Sequence, residues 1–394
     1  MNLVEISSAS LYVAFVAYLI ATVFFGGAVK ATTKEKTAYN KRWGTYGFSL
    51  TVFGFIANLT YFITRWIAAG HAPVSNLFEF TAAFGMMIVG AFILIYSMYR
   101  IATLGLFALP IAVIIIGYAS MFPTDVSPLI PALQSHWLTI HVITAALGEA
   151  ILAISAVAGL IWLLKNIDMS KKSKQRFWIE AVMYLLVLVI GFIVSTTVFS
   201  VAYQPVEYSY VNVEGEQTQI EYKKPALFGM NESEAITEGA MQPLIEMPAL
   251  VNANKLTTVV WSVLIGSLLY GLLRLVFRRR LAEVVQPFTK RTNSQLLDEI
   301  GYRSVLIGFP IFSLGALIFA MIWAHEAWGR FWGWDPKEVW ALITFLFYAV
   351  YLHLRLAVGW QGEKSAWLAL IGFIIIMFNL IVVNLIIAGL HSYA

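Results

Sequence analysis

The chain has 394 residues, of which 60% are hydrophobic and 12% charged, a net charge of +4 and no cysteine. A mean hydropathy of +0.77 excludes an ordinary soluble globular protein. The lack of cysteine excludes disulfides, thiolate metal sites and cysteine nucleophiles, so any thiol chemistry must use a partner's thiols.

Apolar runs long enough to cross roughly 30 Å of hydrocarbon recur along the whole chain. They fall at about 10–29, 45–68, 77–99, 103–121, 138–164, 178–202, 257–277, 303–324, 339–357 and 366–390. The predicted fold is therefore all-α, a polytopic membrane bundle of about ten transmembrane helices. The first run has no basic region before it and no small-residue cleavage site after it, so it is read as a retained helix. Twenty of the 26 basic residues lie in alternate connections, counted from the one after the first helix. That bias makes those connections cytoplasmic and puts both termini outside. It also accounts for the net positive charge, which gives no reason to expect nucleic acid as a partner.

Three regions follow: six membrane helices over 1–202, an extracytoplasmic acidic segment over 203–256, and four membrane helices over 257–394. Within the acidic segment, residues 206–222 alternate in polarity and predict a short hairpin, and the charges read as a solvated face. On the inner side, 281–300 is moderately amphipathic and is expected along the membrane surface. Few ionisable residues fall inside the helices, where each is a functional candidate. His353 lies about fourteen residues, or roughly 21 Å, into the ninth helix, and Glu149 lies roughly 12 Å inward of His141. Arg65 and Glu79 fall near the outer boundary and are expected to snorkel to it.

The densest chemistry is in Trp323 to Trp340, WAHEAWGRFWGWDPKEVW, which holds five tryptophans between two apolar runs. An aromatic belt at the bilayer surface is the plain reading. A belt scatters its rings, however, whereas Trp328, Trp332 and Trp334 run directly into Asp335 and Pro336. Flat rings with an N–H edge suit a loop, here 325–338, that covers a large, flat, partly polar ligand. Five of the six histidines, His71, His136, His141, His325 and His391, fall at the same outer boundary in this topology. Zinc would want three or four ligands, commonly with an acid or thiolate close in sequence. His136 and His141 are five apart and cannot both chelate one ion from a regular helix. A bis-histidine heme needs only two imidazoles, and these can come from distant helices. The tryptophans would supply its apolar wall, and Arg330 and Lys337 could meet its propionates. Heme is the ligand that best uses this set.

Four segments carry a family resemblance. Residues 328–335, WGRFWGWD, resemble the WWD signature of the heme-handling proteins of cytochrome c maturation. Residues 70–79, GHAPVSNLFE, residues 134–142, QSHWLTIHV, and residues 389–393, GLHSY, resemble segments of the CcsA/ResC branch, the System II cytochrome c synthesis proteins. The longer acidic segment looks like the bacterial ResC type. The resemblance implies that His141 and His391 are the axial ligands of a heme on the outer face. It implies that His353 ligates heme within the membrane, with the second intramembrane ligand in a CcsB/ResB-type partner. The WWD residues Trp328, Trp332, Trp334, Asp335, Arg330 and Lys337 would contact the heme, a heme b.

The function implied is a heme-translocating and heme-presenting subunit of a cytochrome c synthase (heme lyase). It would sit in the bacterial plasma membrane with its active site on the extracytoplasmic face. There it would hold heme while the CxxCH thiols of apocytochrome c form thioethers with the vinyls. Two rivals differ in class. A heme transporter or exporter without a synthase role would be expected to show inverted repeats and broken helices at the midplane. A heme-containing quinol-linked respiratory subunit would show paired histidines at depth, where only His353 lies.

Overall fold

The structure, a computed structural model, describes residues 2–30, 37–126, 129, 133–212, 215–237, 239, 241–248 and 251–383. His391 and the 389–393 segment lie outside the described residues. Among those described, ten helices are long and apolar enough to cross a membrane, so the expected polytopic helical bundle is the fold.

The chain divides into two compact units. The first comprises residues 1–176 and 282–394. It contains α1 (Leu3–Lys30), α2 (Thr37–Ala69), α3 (Leu77–Tyr99), α4 (Ala102–Ala119) and α5 (His136–Asn166). Most of α6 (Lys174–Ala202) and all of α7 (Ala253–Phe277) belong to the second unit. The short α8 (Leu281–Val285) leads back to the first, which continues with α9 (Ser294–Ser313), α10 (Ala320–Trp328), α11 (Pro336–Leu356) and α12 (Glu363–Phe378). The amphipathic 281–300 stretch is thus three pieces: α8, a 3-10 turn over Gln286–Phe288, and the start of α9.

The axis of the first unit is α5, the most buried of the spans. It packs against α9, α12 and α3. Glycine permits the closest approach, because a Cβ on Gly148 would strike the Phe312 backbone and one on Gly315 would strike the Ala145 backbone. Between α9 and α10 the helix widens into a π-helical turn, Leu314–Phe319. Pro310 sits one turn earlier, where it removes an N–H from the ladder. A second π-helical turn, Asn379–Val383, follows α12.

Arg65 and Glu79 do not snorkel. They meet at 2.7 Å and are each 1% exposed, so α2 and α3 are pinned by an ion pair in the protein interior. The pair survives there because its remaining polar atoms are satisfied. Glu79 Oε2 accepts from the Ser75 N–H and Oγ, while Arg65 Nη2 donates to the Thr124 carbonyl at 2.9 Å. The guanidinium also lies 5.1 Å over the Phe78 ring. Asn76 caps α3 by accepting from the Glu79 N–H. Most of the polar residues of the 70–79 motif thus build one fastening.

The second unit, residues 177–281, pairs α6 and α7 through Gly191 and Gly266 and through Tyr184 Oη with Ser267 Oγ at 2.8 Å. Between them lies a small β structure. The expected hairpin is present as β1 (Val206–Val211) antiparallel to β2 (Gln217–Tyr222). The short β4 (Glu234–Ala235) flanks β1, and β3 (Phe228–Gly229) pairs in parallel with β5 (Ile245–Glu246). Tyr208 and Tyr222 stack edge to face beneath the hairpin.

Lys224 is tucked under this structure, 8% exposed, with Nζ donating to Thr258 Oγ1 at 3.0 Å. Burial pulls its ammonium down to about 8. Its folded pKa is below its unfolded one, so the unfolded state binds the extra proton between pH about 8 and 10.5. Stability of this unit should therefore rise with pH across that window, by up to about 3 kcal/mol at about 1.36 kcal/mol per pKa unit. Thermal unfolding of wild type and Lys224→Met checks it, since the substitution should flatten the rise. An equal rise in both would assign it elsewhere.

Candidate functional site

The tryptophan-rich stretch is a loop only over residues 329–335. Trp323 and Trp328 belong to α10, which Gly329 ends in left-handed geometry with its N–H on the His325 carbonyl. Asp335 starts α11 with a capping box: its carboxylate accepts from the Lys337 N–H, and Glu338 reaches back to the Asp335 and Gly333 N–H groups. Pro336 sits at the first helical position, where its missing N–H is harmless. Trp334 takes φ +58°, a region a bulky side chain rarely occupies. The two caps hold the intervening residues in a tight arc.

Beneath the arc lies an open-mouthed cavity of about 120 Å³. Apolar side chains from α3, α5, α9 and the end of α12 make its walls. His141, Glu149, Trp332, Lys337, Glu338 and Asn379 supply most of its polar chemistry. Both π-helical turns contribute to the wall, as such turns often do at sites. Asn379 Oδ1 is buried there without a protein hydrogen-bond partner.

His141 is the best-defined group. Its Nδ1 lies 2.9 Å from the carbonyl oxygen of Gly315, which sits in the first π-helical turn. A carbonyl can only accept, so Nδ1 carries a proton and donates it there, which leaves Nε2 as the nitrogen that would ligate in the neutral ring. This is the arrangement that orients a metal-ligating imidazole. The ring also lies flat against Trp323, with centroids 5.7 Å apart and planes 12° apart. Trp323, 1% exposed, is braced in turn by Trp328 at 4.8 Å. Upstream, Ser135 caps α5 and donates to Glu326 Oε2 at 2.9 Å, tying the start of α5 to α10.

Among the residues expected to contact heme, Trp332 and Lys337 line the cavity and sit opposite His141 and Glu149. Trp328 is turned toward Trp323 and braces the wall. Asp335 is buried at 7% exposure as the helix cap, and Trp334 is 70% exposed beside Trp332. The Arg330 guanidinium lies against Gly333, where a Cβ would come within 2.7 Å of it. His353 projects from α11 as an exposed residue of the first unit, far along the helix from the cavity. His136 and His325 are exposed, and His325 stacks on Phe331 at 4.3 Å. His71 is half-buried in the 70–76 connection, its Nδ1 donating to the Ala72 carbonyl.

The sequence reading missed Trp323 and Asn379 as parts of this wall and Gly315 as the support of His141. The signal for Trp323 was present. Gly329 as a helix stop and Asp335-Pro-Lys-Glu338 as a helix start confine the loop to seven residues, and Trp323 is then a helical residue that can face α5.

Residues 226–391 match the family model described as Cytochrome C assembly protein. The chain is 32% identical over 346 residues to the cytochrome c biogenesis protein CcsA of Crocosphaera subtropica, covering 86% of this chain and 85% of the relative. It is 30% identical to that of Gloeothece citriformis over 402 residues, covering 100% and 99%. The corresponding figures for Cyanophora paradoxa are 28% over 386 residues, 96% and 94%. The chain therefore belongs to the CcsA family of cytochrome c biogenesis proteins, and is a multi-pass membrane member of it.

Proposed function

We propose that this protein is the heme-translocating and heme-presenting subunit of a cytochrome c synthase in the bacterial plasma membrane. It acts with a CcsB/ResB-type partner and delivers heme b to apocytochrome c on the extracytoplasmic face. The observation that carries this is His141, an imidazole held by the Gly315 carbonyl and the Trp323 ring in the wall of the cavity beneath the tryptophan arc. The donor set fits the ligand. An imidazole suits the iron, indole and aliphatic walls suit the macrocycle, and Lys337 suits a propionate.

In this reading His141 and His391 are the axial ligands, and Trp332 shapes the wall beside the ring. Trp334 and Arg330 hold the outer lip. The arc's part is positional: it fixes the vinyl edge against the incoming CxxCH thiols, so that a bimolecular encounter becomes a local one. His353, exposed on α11, is the intramembrane ligand whose mate comes from the partner subunit.

The optical spectrum of the purified protein tests the reading. A Soret band is expected, and its absence after expression with ample heme would overturn it. Trp332→Phe and Trp334→Phe should both lower heme content, with the greater loss at Trp332 because its indole lines the cavity. A plain aromatic belt predicts that both are silent. His353→Ala, purified with the partner, should lower heme at the outer site as well, since the two positions lie in sequence on one path. Full outer occupancy in that variant would remove the translocation route.

A further inference from the structure

The cavity is not the end of the buried polar groups in this bundle. Glu149 lines it from α5, facing Lys337 of α11, with Glu338 of α11 and His141 of α5 the other ionisable groups on the wall. Among the described residues, no charged side chain from α3, α9, α10 or α12 lines the cavity. Next beyond Glu149 stands Tyr348 of α11, 0% exposed and within electrostatic reach of the Glu149 carboxyl. Its hydroxyl has no protein hydrogen-bond partner, and its ring end fits against Gly372 of α12, where a Cβ would come within 2.6 Å.

One turn further along α11, Tyr351 Oη lies 2.8 Å from Ser365 Oγ. Both line a second cavity with room for about one water molecule, and Ser155 of α5 and Asp298 of α9 line it too. Four polar side chains around so small a space meet the requirement for a bound water, which needs two to four partners. The buried Ser155 hydroxyl faces the Tyr351 hydroxyl across this space. At the far end Asp298 takes a bidentate pair from Arg355, at 3.0 and 2.6 Å, and the Gly362 N–H at 2.9 Å. This end lies beside the connection after α11, the opposite end of that helix from the tryptophan arc.

Interhelical hydroxyls commonly act as glue between membrane helices, but glue requires that each donor find an acceptor. An unsatisfied buried hydroxyl is unfavourable, and the Tyr348 hydroxyl has no protein partner at this interface. Buried hydroxyls at successive levels between a carboxylate in a cavity and a charged pair at the opposite end, with space for a water among them, are an arrangement suited to a proton path.

We propose that Glu149, Tyr348, Tyr351 with Ser365, Ser155 and Asp298 form a proton path between the cavity and the Asp298–Arg355 end of the bundle. One proton enters at the Asp298 end, and each hydroxyl or water passes on one O–H proton as it accepts another. The Glu149 carboxylate becomes the acid. No other bond changes, no hydroxyl ionises and no electron moves. The path lets Glu149 adjust its charge to what occupies the cavity, from the side opposite the mouth. It stands independently of the heme reading.

The test uses the full-length protein in sealed vesicles of uniform orientation. A hydrophobic carbodiimide reacts with protonated, membrane-buried carboxyls, and peptide mass spectrometry reports labelling at Glu149. The pH is lowered from about 9 to about 6 on one side at a time. Lowering it on the Asp298 side alone should raise Glu149 labelling by up to about tenfold per pH unit, the limit for one titrating proton. Tyr351→Phe and Ser155→Ala keep the packing and remove a hydroxyl. Each should abolish that response while the response to the tryptophan-arc side persists. Labelling that ignores the Asp298 side in wild type, that is flat from both sides, or that is unchanged in both variants overturns the path. Because no heme is added, none of these outcomes depends on whether the cavity binds it.

Discussion

His141→Ala is expected to remove heme from the outer site and to stop cytochrome c maturation, while leaving the protein folded. The fold should tolerate the change because little of it depends on the imidazole. The substitution gives up one hydrogen bond to Gly315 and part of a ring contact with Trp323, worth about 1 kcal/mol each. Heme retention should fall by far more, because a ligand to the iron is lost outright. Added imidazole should restore heme binding if the defect is a missing ligand. Trp323→Leu probes the same site one step back: His141 remains, but the surface that fixes its ring is gone. Loss of such support commonly weakens metal binding by about 10- to 100-fold, so this variant should fall between wild type and His141→Ala. Normal maturation in His141→Ala would take the residue out of the site.

The path of the chain was readable where one physical signal dominates. Ten apolar runs correspond to ten spans among the described residues because bilayer thickness leaves helices little choice, and the alternation over 206–222 gives the hairpin. Interactions that depend on distant segments were not readable. Arg65 and Glu79 look like boundary charges in sequence, yet Arg65 is satisfied by the Thr124 carbonyl, 59 residues on. The partner of His141 is a backbone oxygen 174 residues away, offered by a π-helical turn. That turn depends on how closely Gly315 lets α5 approach, which no local pattern records. The tryptophans were visible as a group, but their division of labour was not. Trp323 faces the histidine, Trp328 braces it, Trp332 lines the cavity and Trp334 stands exposed. Those orientations follow from where α10 stops and α11 starts.

The largest effect on stability is expected at the buried ion pair. Glu79→Ala leaves the Arg65 guanidinium in the interior, 1% exposed, with its Nε partner gone and only the carbonyls of 124 and 125 remaining. Removing one member of a buried pair typically destabilises by about 3–5 kcal/mol, mostly through the charge left behind. The same substitution also frees the Ser75 hydroxyl and N–H, so the connection that brings Val74 and Leu77 to the cavity wall loses its anchor. Glu79→Ala should therefore lower the melting temperature in detergent and reduce heme content together. The double variant Arg65→Leu, Glu79→Leu separates the two effects. With no stranded charge, it should recover much of the lost stability, because well-packed apolar replacements for a buried pair are often neutral or better. It cannot restore the Ser75 contacts, so heme content should recover less than stability does. If the double variant is no more stable than Glu79→Ala, the loss lies in the Ser75 fastening and not in the unpaired charge.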